Sequence, residues 1–572
     1  MFNLPSHFNQ YLQETRFADE IYNAMALDDY SEVVLAAYNI LEKTDNFPKI
    51  SKVNKSEEKS NRYRDEGNKE FKSGNINKAM EYYNKALMYA PKHSRSELLV
   101  YSNRSAILNK VNLFSACVVD IEMCFKLGCP QDLLDKLNNR LKHALVDSEN
   151  EKKYAEKLGS YCHNFYKISG KNNPEIPCAS TDIEVNEKDN VKKIVAAKDI
   201  KIGTVLAKES SFVSSTNQEN YPFACHYCQK MSLNLIPCYD CCFVLFCNEN
   251  CRELCHEEYH SVECQIMEII EEICISPMAK LMVKGVIKFV KMSSSWKEVI
   301  SNSHCTGSNR ISISTVQEMF DVGNKLSILS FADDKIFIYG SMYDASFVCA
   351  TIIYYLEKLP RFLSGLLGEK RRAKQALARM MMYFAIYVEP TPIISTVANK
   401  KLDIAYHHPQ KNYGWYPFIG KLKKSCTPNV MVSYLNKKAV LIALRPIKKG
   451  SELTCGNMPR EDHSLHSNNC QLFVLNGKVC KCIVCSGDWR KLSDKCILTE
   501  KQRDIYINKF LNQNNKINIL TLPHVLPNTI EVMTKLNNVT FSNEYRLVCE
   551  IFCKCLITCE EFLAGNIILD QF

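Results

Sequence analysis

CHYCQKMSLNLIPCYDCCFVLFCNENCRELCHEEYHSVEC, residues 225–264, packs nine cysteines and three histidines into forty residues. The run divides into Cys225-x2-Cys228, Cys238-x2-Cys241, Cys247-x3-Cys251 and His260-x3-Cys264. A C-x-x-C pair lets one tight turn aim two thiolates at a single tetrahedral metal, with Zn–S near ~2.3 Å. Eight ligands in four pairs make two closed, four-coordinate sites with no position open for chemistry, so the spacing predicts structural zinc rather than disulfides. Cys242, Cys255, His226 and His256 fall outside the pairing and read as bystanders.

The rest of the chain frames this finger. At 572 residues it is too long for one core and predicts three or four domains. A composition of 46% hydrophobic and 24% charged residues is that of a globular protein, and a net charge of +9 is too small at this length to argue for nucleic acid. The start, Met1-Phe2-Asn3-Leu4-Pro5, has neither a basic n-region nor an apolar h-region, and the apolar run Met380 to Val388 stops at Glu389-Pro390. The expectation is therefore a cytoplasmic or nuclear protein, off the membrane, whose 28 cysteines are reduced and bind metal where they cluster.

Upstream, residues 64 to 91 place Gly67, Gly74, Ala79, Tyr83, Ala86 and Pro91 at the spacing of a tetratricopeptide (TPR) repeat, whose period is ~34. Gly67 and Ala79 let two helices approach closely, and Pro91 ends the second. A second unit runs from Tyr101 to about Phe125, opened by Asn103-Arg104-Ser105-Ala106, and a third helical pair is expected from Gln131 to about Leu158. Stacked pairs bury an apolar face that one pair cannot. Within them Arg64 and Asn68 lie one turn apart, Asn103 opens the second unit, and Lys136 and Arg140 share a face. The set resembles the carboxylate clamp by which some tetratricopeptide domains hold the acidic C-terminal tails of Hsp70 or Hsp90 chaperones. A solvated charged face is the other reading.

Two similar stretches flank the finger, Val195 to Leu206 and Leu441 to Leu453, each expected to form a hairpin around Gly203 or Gly450. With Ser425-Cys426-Thr427-Pro428-Asn429 and the late run Cys480-x-Cys482-x2-Cys485, they resemble a SET domain split by a MYND zinc finger. The order of segments over nearly the whole chain resembles the tetratricopeptide-bearing branch of the SET- and MYND-domain proteins. The fold expected is α+β and multidomain. It comprises an N-terminal helical segment (1–60), TPR-like helical hairpins (61–160), a first SET segment (183–215), the MYND finger (225–264), a helical SET insert (265–385), a β-rich SET core (386–458), a zinc-binding tail (470–490) and a C-terminal helical, TPR-like domain (500–572).

The resemblance implies that Cys225, Cys228, Cys247 and Cys251 share one zinc and Cys238, Cys241, His260 and Cys264 another. It implies a third ion on Cys426, Cys480, Cys482 and Cys485. It also implies transfer of a methyl group from S-adenosylmethionine to a protein lysine, a reaction in which the protein aligns donor and acceptor and excludes water. The positions the family uses are altered here. Val191 stands where a glycine would admit the cofactor, and Lys423-Lys424 replaces the Asn-His before Ser425. Leu453-Thr454-Cys455-Gly456-Asn457 lacks the channel tyrosine, and Asn476 replaces a second one. Two classes stay open: an active protein-lysine methyltransferase, or a pseudoenzyme that keeps its zinc frame and acts as an adaptor. MYND fingers bind proline-rich peptides more often than DNA, and no basic stripe is visible.

From about Glu500 to Phe572 apolar residues recur at helical spacing, expected to be broken at Pro523 and Pro527. Cys549, Cys553, Cys555 and Cys559 there read as core residues of helices rather than a metal site. In the resembled family this region covers the substrate cleft.

Overall fold

The computed structural model describes residues 17–563 apart from 26, 28, 189–190, 217, 219–220, 275, 305–314, 332–341, 364–365, 367–368, 389–390, 396–397, 400–403, 406–409, 426, 436–437, 457–497, 505–516, 518 and 538–542. Helices α1 (Phe17–Met25) and α2 (Tyr30–Lys43) open the described chain. The helical segment expected over 1–60 stops at Lys43. Residues 46–56 instead run as a non-helical strap, because their side chains are claimed by distant partners. Phe47 stacks on Tyr354 with ring centres 3.8 Å apart, and Lys55 Nζ donates to Met88 O at 2.7 Å and Cys238 O at 2.6 Å.

Four helices follow: α3 (Glu57–Lys72), α4 (Ile76–Tyr89), α5 (Arg95–Lys110) and α6 (Phe114–Lys126). Ser56 and Ser94 cap α3 and α5 by accepting the N–H of Lys59 and Glu97. Ala90, before Pro91, is extended (ψ 128°) and ends α4. A Cβ on Gly67 would lie 2.5 Å from the Tyr83 ring, so α3 and α4 touch where the sequence places a glycine. The expected third pair is a single helix, α7 (Gln131–Phe165), of 35 residues. No glycine or proline interrupts it before Gly159, and at ~1.5 Å per residue it spans about 50 Å. Its far end, Leu158, Cys162 and Tyr166, reaches a different core.

The strands are β1 (Ile183–Lys188), β2 (Val191–Ala196), β3 (Val205–Ser210), β4 (Ser214–Ser215), β5 (Ile236–Pro237) and β6 (Leu245–Phe246), the last two inside the finger. Helix α8 (Glu249–Cys255) continues into one π-helical turn, His256–His260. Then come α9 (Met267–Ile273), α10 (Pro277–Met292), α11 (Trp296–Ser303), α12 (Val316–Phe320), α13 (Met342–Glu357) and α14 (Lys370–Tyr387). Strands β7 (Thr391–Ser395), β8 (Ala398–Asn399), β9 (Ile404–Ala405), β10 (Gln410–Gly414), β11 (Lys423–Lys424), β12 (Val430–Leu435), β13 (Lys438–Ala443) and β14 (Thr454–Cys455) complete the β part. Helices α15 (Leu522–Lys535) and α16 (Asn543–Leu563) close the described chain. Pro523 and Pro527 do not break α15: Pro523 sits in its first turn, where no N–H acceptor is needed, and Pro527 is carried inside.

The two flanking stretches are not hairpins but each other's partners. Strand β3 pairs with β13, and the end of β2 pairs with residues 450–453. Ile200 and Ile447 exchange both backbone bonds, at 2.8 and 3.0 Å, and Gly203 N donates to Ala443 O. Gly203 and Gly450 both have φ +78°, so each turn is as expected while the pairing is non-local. The sheet β12-β13-β3 is buried on both faces. Val440 and Ile442 face α15 and α16, and Ala439, Leu441 and Ala443 face the residues 416–422.

A third, larger core joins α1–α7, the finger, α9–α11, α13 and α14. Within it Arg104 is fully inaccessible, and its Nε and Nη2 donate to the two oxygens of Asp120 at 2.7 Å each. Arg104 Nη1 also reaches Asn84 Oδ1 (2.7 Å) and Leu235 O (2.8 Å), and Asn84 Nδ2 donates to Pro222 O. These bonds fasten α4–α6 to the finger and the segment leading into it.

Candidate functional site

The finger gathers its cysteines into two groups. One holds Cys225, Cys228, Cys247 and Cys251; the other holds Cys238, Cys241, His260 and Cys264, and in each group the ligand atoms lie within 4.8 Å of one another. Cys228 and Cys247 sulfurs are 3.6 Å apart, Cys247 and Cys251 3.4 Å, Cys238 and Cys264 3.9 Å, and Cys241 Sγ lies 3.7 Å from His260 Nε2. A tetrahedron with arms of ~2.3 Å has edges of about 3.8 Å, so both groups fit a zinc ion. They do not fit disulfides, which need sulfurs at about 2.05 Å. Local backbone makes this geometry: Gln229, just past the first C-x-x-C, takes φ +63°, and its N–H returns to Cys225 O. Asn248 caps α8 and brings Cys251 back to Cys247. The other expected ligands, Cys426, Cys480, Cys482 and Cys485, lie outside the described residues, as does Asn476.

Of the four bystanders, Cys242, Cys255 and His256 belong to neither group, but His226 is engaged. Glu263 Oε2 accepts from His260 Nδ1 at 2.7 Å and from His226 Nε2 at 2.9 Å, and all three side chains are buried. Burial pushes His226 down to about 4, so it is neutral and Nε2–H donates. Bonding Nδ1 to Glu263 leaves Nε2 of His260 for the metal, which makes Glu263 an orienting partner of a ligand rather than the seed of another metal site.

The second feature is a crossing of chain segments. Strand β11 runs parallel to β14, Lys423 opposite Thr454 and Lys424 opposite Cys455. Ser425 N donates to Cys455 O (2.9 Å), and Asn429 Nδ2 to Glu452 O (2.9 Å). Thr454 N donates to Asn429 Oδ1 (2.7 Å). A Cβ on Gly456 would lie 2.1 Å from Ser425 O, so only glycine permits the crossing. Lys423 turns outward, 61% exposed, with Nζ 3.0 Å from Glu452 Oε2. Lys424 is half-buried, Ser425 is buried, and Cys455 is buried with its sulfur toward Leu422 O. Val191 opens β2 opposite Lys188, while the bonds from β2 to residues 450–453 come from Ile194 to Ala196 at its other end. Val191 is thus not among the residues gathered at the crossing.

Ahead of β11 in the chain, Phe418 (2.7 Å) and Ile419 (2.9 Å) donate their N–H groups to the wholly buried Glu209 on β3. Burial outweighs these two donors and pushes its carboxyl from 4.5 up to about 8. A raised acid binds its proton more tightly folded than unfolded. Its contribution is therefore full below the ordinary carboxylate range and is lost as pH rises through about 8. Glu209→Gln should remove that loss: Tm of the variant relative to the parent climbs between ~pH 5 and 8 in thermal denaturation.

Of the five clamp residues, two touch. Asn103 Nδ2 donates to Asn68 Oδ1 at 2.8 Å, and Tyr83 Oη donates to the same oxygen. Arg140 Nη1 binds Ser102 O (2.9 Å) and Ser105 Oγ (2.6 Å) on α5, and Arg64 reaches Asp65 at 3.2 Å. Lys136 is exposed one turn before Arg140. In the C-terminal region Cys549, Cys555 and Cys559 are buried core residues of α16. Glu560 of that helix accepts from Tyr434 N (2.9 Å) and the Ser433 hydroxyl, seating α16 on the edge of β12. Among the described residues no helix is long and apolar enough to cross a membrane.

Residues 192–456 match the family model of the SET domain, a span holding β3, the finger, the helical insert and the crossing. Over this span the chain is similar to the SET domain. In particular it is similar to proteins named protein-lysine N-methyltransferase SMYD4. The mouse protein is 24% identical over 535 residues, 74% of this chain and 67% of its own length. The zebrafish protein is 26% identical over 239 residues, 37% and 30%, and the human protein 24% over 267 residues, 36% and 33%. The zebrafish and human alignments therefore span about a third of those relatives.

Proposed function

We propose that this protein is a zinc-framed SET and MYND protein whose methyl-transfer site has degraded and which works as a protein-interaction adaptor. In this reading the finger is a MYND domain, α3–α7 are tetratricopeptide-like, and the protein acts in the cytoplasm or nucleus. Three zinc ions are expected, the third on Cys426 with the cysteines at 480, 482 and 485. The observation that carries the reading is the contrast between two neighbouring parts of one fold. The metal groups are assembled with tetrahedral spacing, while the crossing presents lysines at 423 and 424 and a thiol at 455. Methyl donation starts from a cationic sulfonium, which a half-buried Lys424 ammonium disfavours. Incubation with labelled S-adenosylmethionine and mixed cell proteins should give no lysine methylation above a no-enzyme control. Robust transfer, lost on heating and blocked by S-adenosylhomocysteine, overturns this.

The alternative is an active protein-lysine methyltransferase, the activity in the relatives' name, and the intact bonding of Asn429 across the crossing favours it. As an adaptor the protein has two surfaces to offer: the finger for proline-rich peptides and the helical groove for acidic C-termini. Arg64, Asn68, Asn103, Lys136 and Arg140 should hold an acidic peptide at micromolar Kd, about −8 kcal/mol. Amidating the peptide's terminus should abolish binding. Equal binding of free and amidated peptides would leave these cations a solvated face.

A further inference from the structure

Helix α10 carries Lys280, Lys284 and Lys288 on one face of a sequence that is, apart from Lys291 in its last turn, otherwise apolar, and all three are buried (3%, 1% and 8% exposed). Buried ammonium groups are costly unless paired and hydrogen-bonded, and each of these has one carboxylate and one further oxygen. Lys280 Nζ binds Glu271 and Tyr221 Oη, both at 2.7 Å. Lys288 Nζ binds Glu258 (2.7 Å) and Phe212 O (2.8 Å). Lys284 Nζ takes Ser214 O at 3.0 Å and lies 3.9 Å from Glu263 Oε1. Glu263 is the acid whose other oxygen orients His260 and His226.

We propose that Lys284 completes the second zinc site from outside the finger, as a positioning residue acting through Glu263 on His260. This rests on the reading of the two cysteine groups as zinc sites. The other two partners of Glu263, both imidazoles, donate hydrogen bonds; among the described residues only Lys284 adds a formal positive charge within ion-pair range. A zinc on three thiolates and one imidazole carries net negative charge, so without Lys284 a second buried anion stands uncompensated beside it. The acid then holds less firmly the Nδ1–H that aims Nε2 at the metal. The all-cysteine group has no imidazole to orient: α10 reaches it through Lys288, Glu258 and the Tyr227 hydroxyl, none of which bonds a ligand side chain among the described residues. The finger is therefore not a self-contained module: one of its two ions is secured by the helical insert.

Partners of this kind change metal affinity ~10- to 100-fold, and the test reads that directly. The full-length protein is mixed with a chromophoric chelator and zinc release is followed. In Lys284→Met one equivalent should leave ~10- to 100-fold faster while the remaining zinc keeps the parent rate. Lys280→Met and Lys288→Met, equally buried lysines without contact to Glu263, should accelerate neither selectively. Glu263→Gln keeps the shape and should speed the same single phase, which carries the test should Lys284→Met fail to fold. In cobalt-substituted protein the visible bands of the three-sulfur, one-nitrogen site should shift in Lys284→Met, with the four-sulfur bands unchanged. Unchanged release from both Lys284→Met and Glu263→Gln, or equal acceleration of every phase, overturns the proposal. A parent protein that carries no zinc instead overturns the zinc reading itself.

Discussion

Stripping zinc with a strong chelator should unfold most of this protein, not merely loosen a finger. Structural zinc contributes about 10–16 kcal/mol of apparent binding energy at neutral pH, whereas a folded domain is stable by only about 5–15 kcal/mol. The finger's buried residues, Leu235, Phe246, Cys255 and Tyr259 among them, share one continuous core with α1–α7, α9–α11, α13 and α14. Loss of either ion therefore removes the support of Arg104 and of the strap residue Lys55, both of which bond finger carbonyls. Elemental analysis of protein purified without chelator should find three equivalents of zinc per chain, two from the finger and one from the tail. Cys238→Ser should leave the chain insoluble or protease-sensitive. Wild-type resistance to proteolysis after Cys238→Ser would show that the metal is dispensable to the fold.

Arg104→Met should cost about 3–5 kcal/mol, the usual effect of removing one partner of a buried ion pair. Asp120 would remain inaccessible with both oxygens deprived of their donors, and Asn84 and Leu235 O would lose theirs. Replacing both charges, Arg104→Met with Asp120→Leu, should recover much of that loss, since no unpaired charge stays buried. Chemical denaturation of the single and double variants separates the two. A double variant as unstable as the single would mean that the pair matters through shape rather than charge.

The finger was legible in the sequence because metal geometry fixes ligand spacing, and the same holds for Gly67 against Tyr83 and for Pro91. What escaped was non-local. Lysines at 280, 284 and 288 have the i, i+4 pattern of a solvated face, and only Glu258, Glu263 and Glu271 folded against them make that face interior. The stretches around Gly203 and Gly450 each contain a plausible hairpin, but strand pairing is decided by burial on both faces. That burial joins β3 to β13 rather than to β2. Helix α7 was expected as a pair because stacked pairs bury an apolar face that one pair cannot; without glycine or proline before Gly159 the backbone has no reason to leave the helix midway. His226 was set aside for falling outside the four ligand pairs, and Glu263, neither cysteine nor histidine, carries no ligand-spacing signal, although Glu263 bonds both His226 and His260.

The central claim is that the SET fold persists here while its cofactor site does not. It is tested most directly by calorimetric titration of the zinc-loaded, full-length protein with S-adenosylmethionine. The account predicts no measurable saturable heat for the parent, and recovery of binding in Lys423→Asn/Lys424→His before any recovery of turnover, since Cys455 still occupies the channel position. Tight, stoichiometric binding of S-adenosylmethionine by the unaltered chain would contradict it.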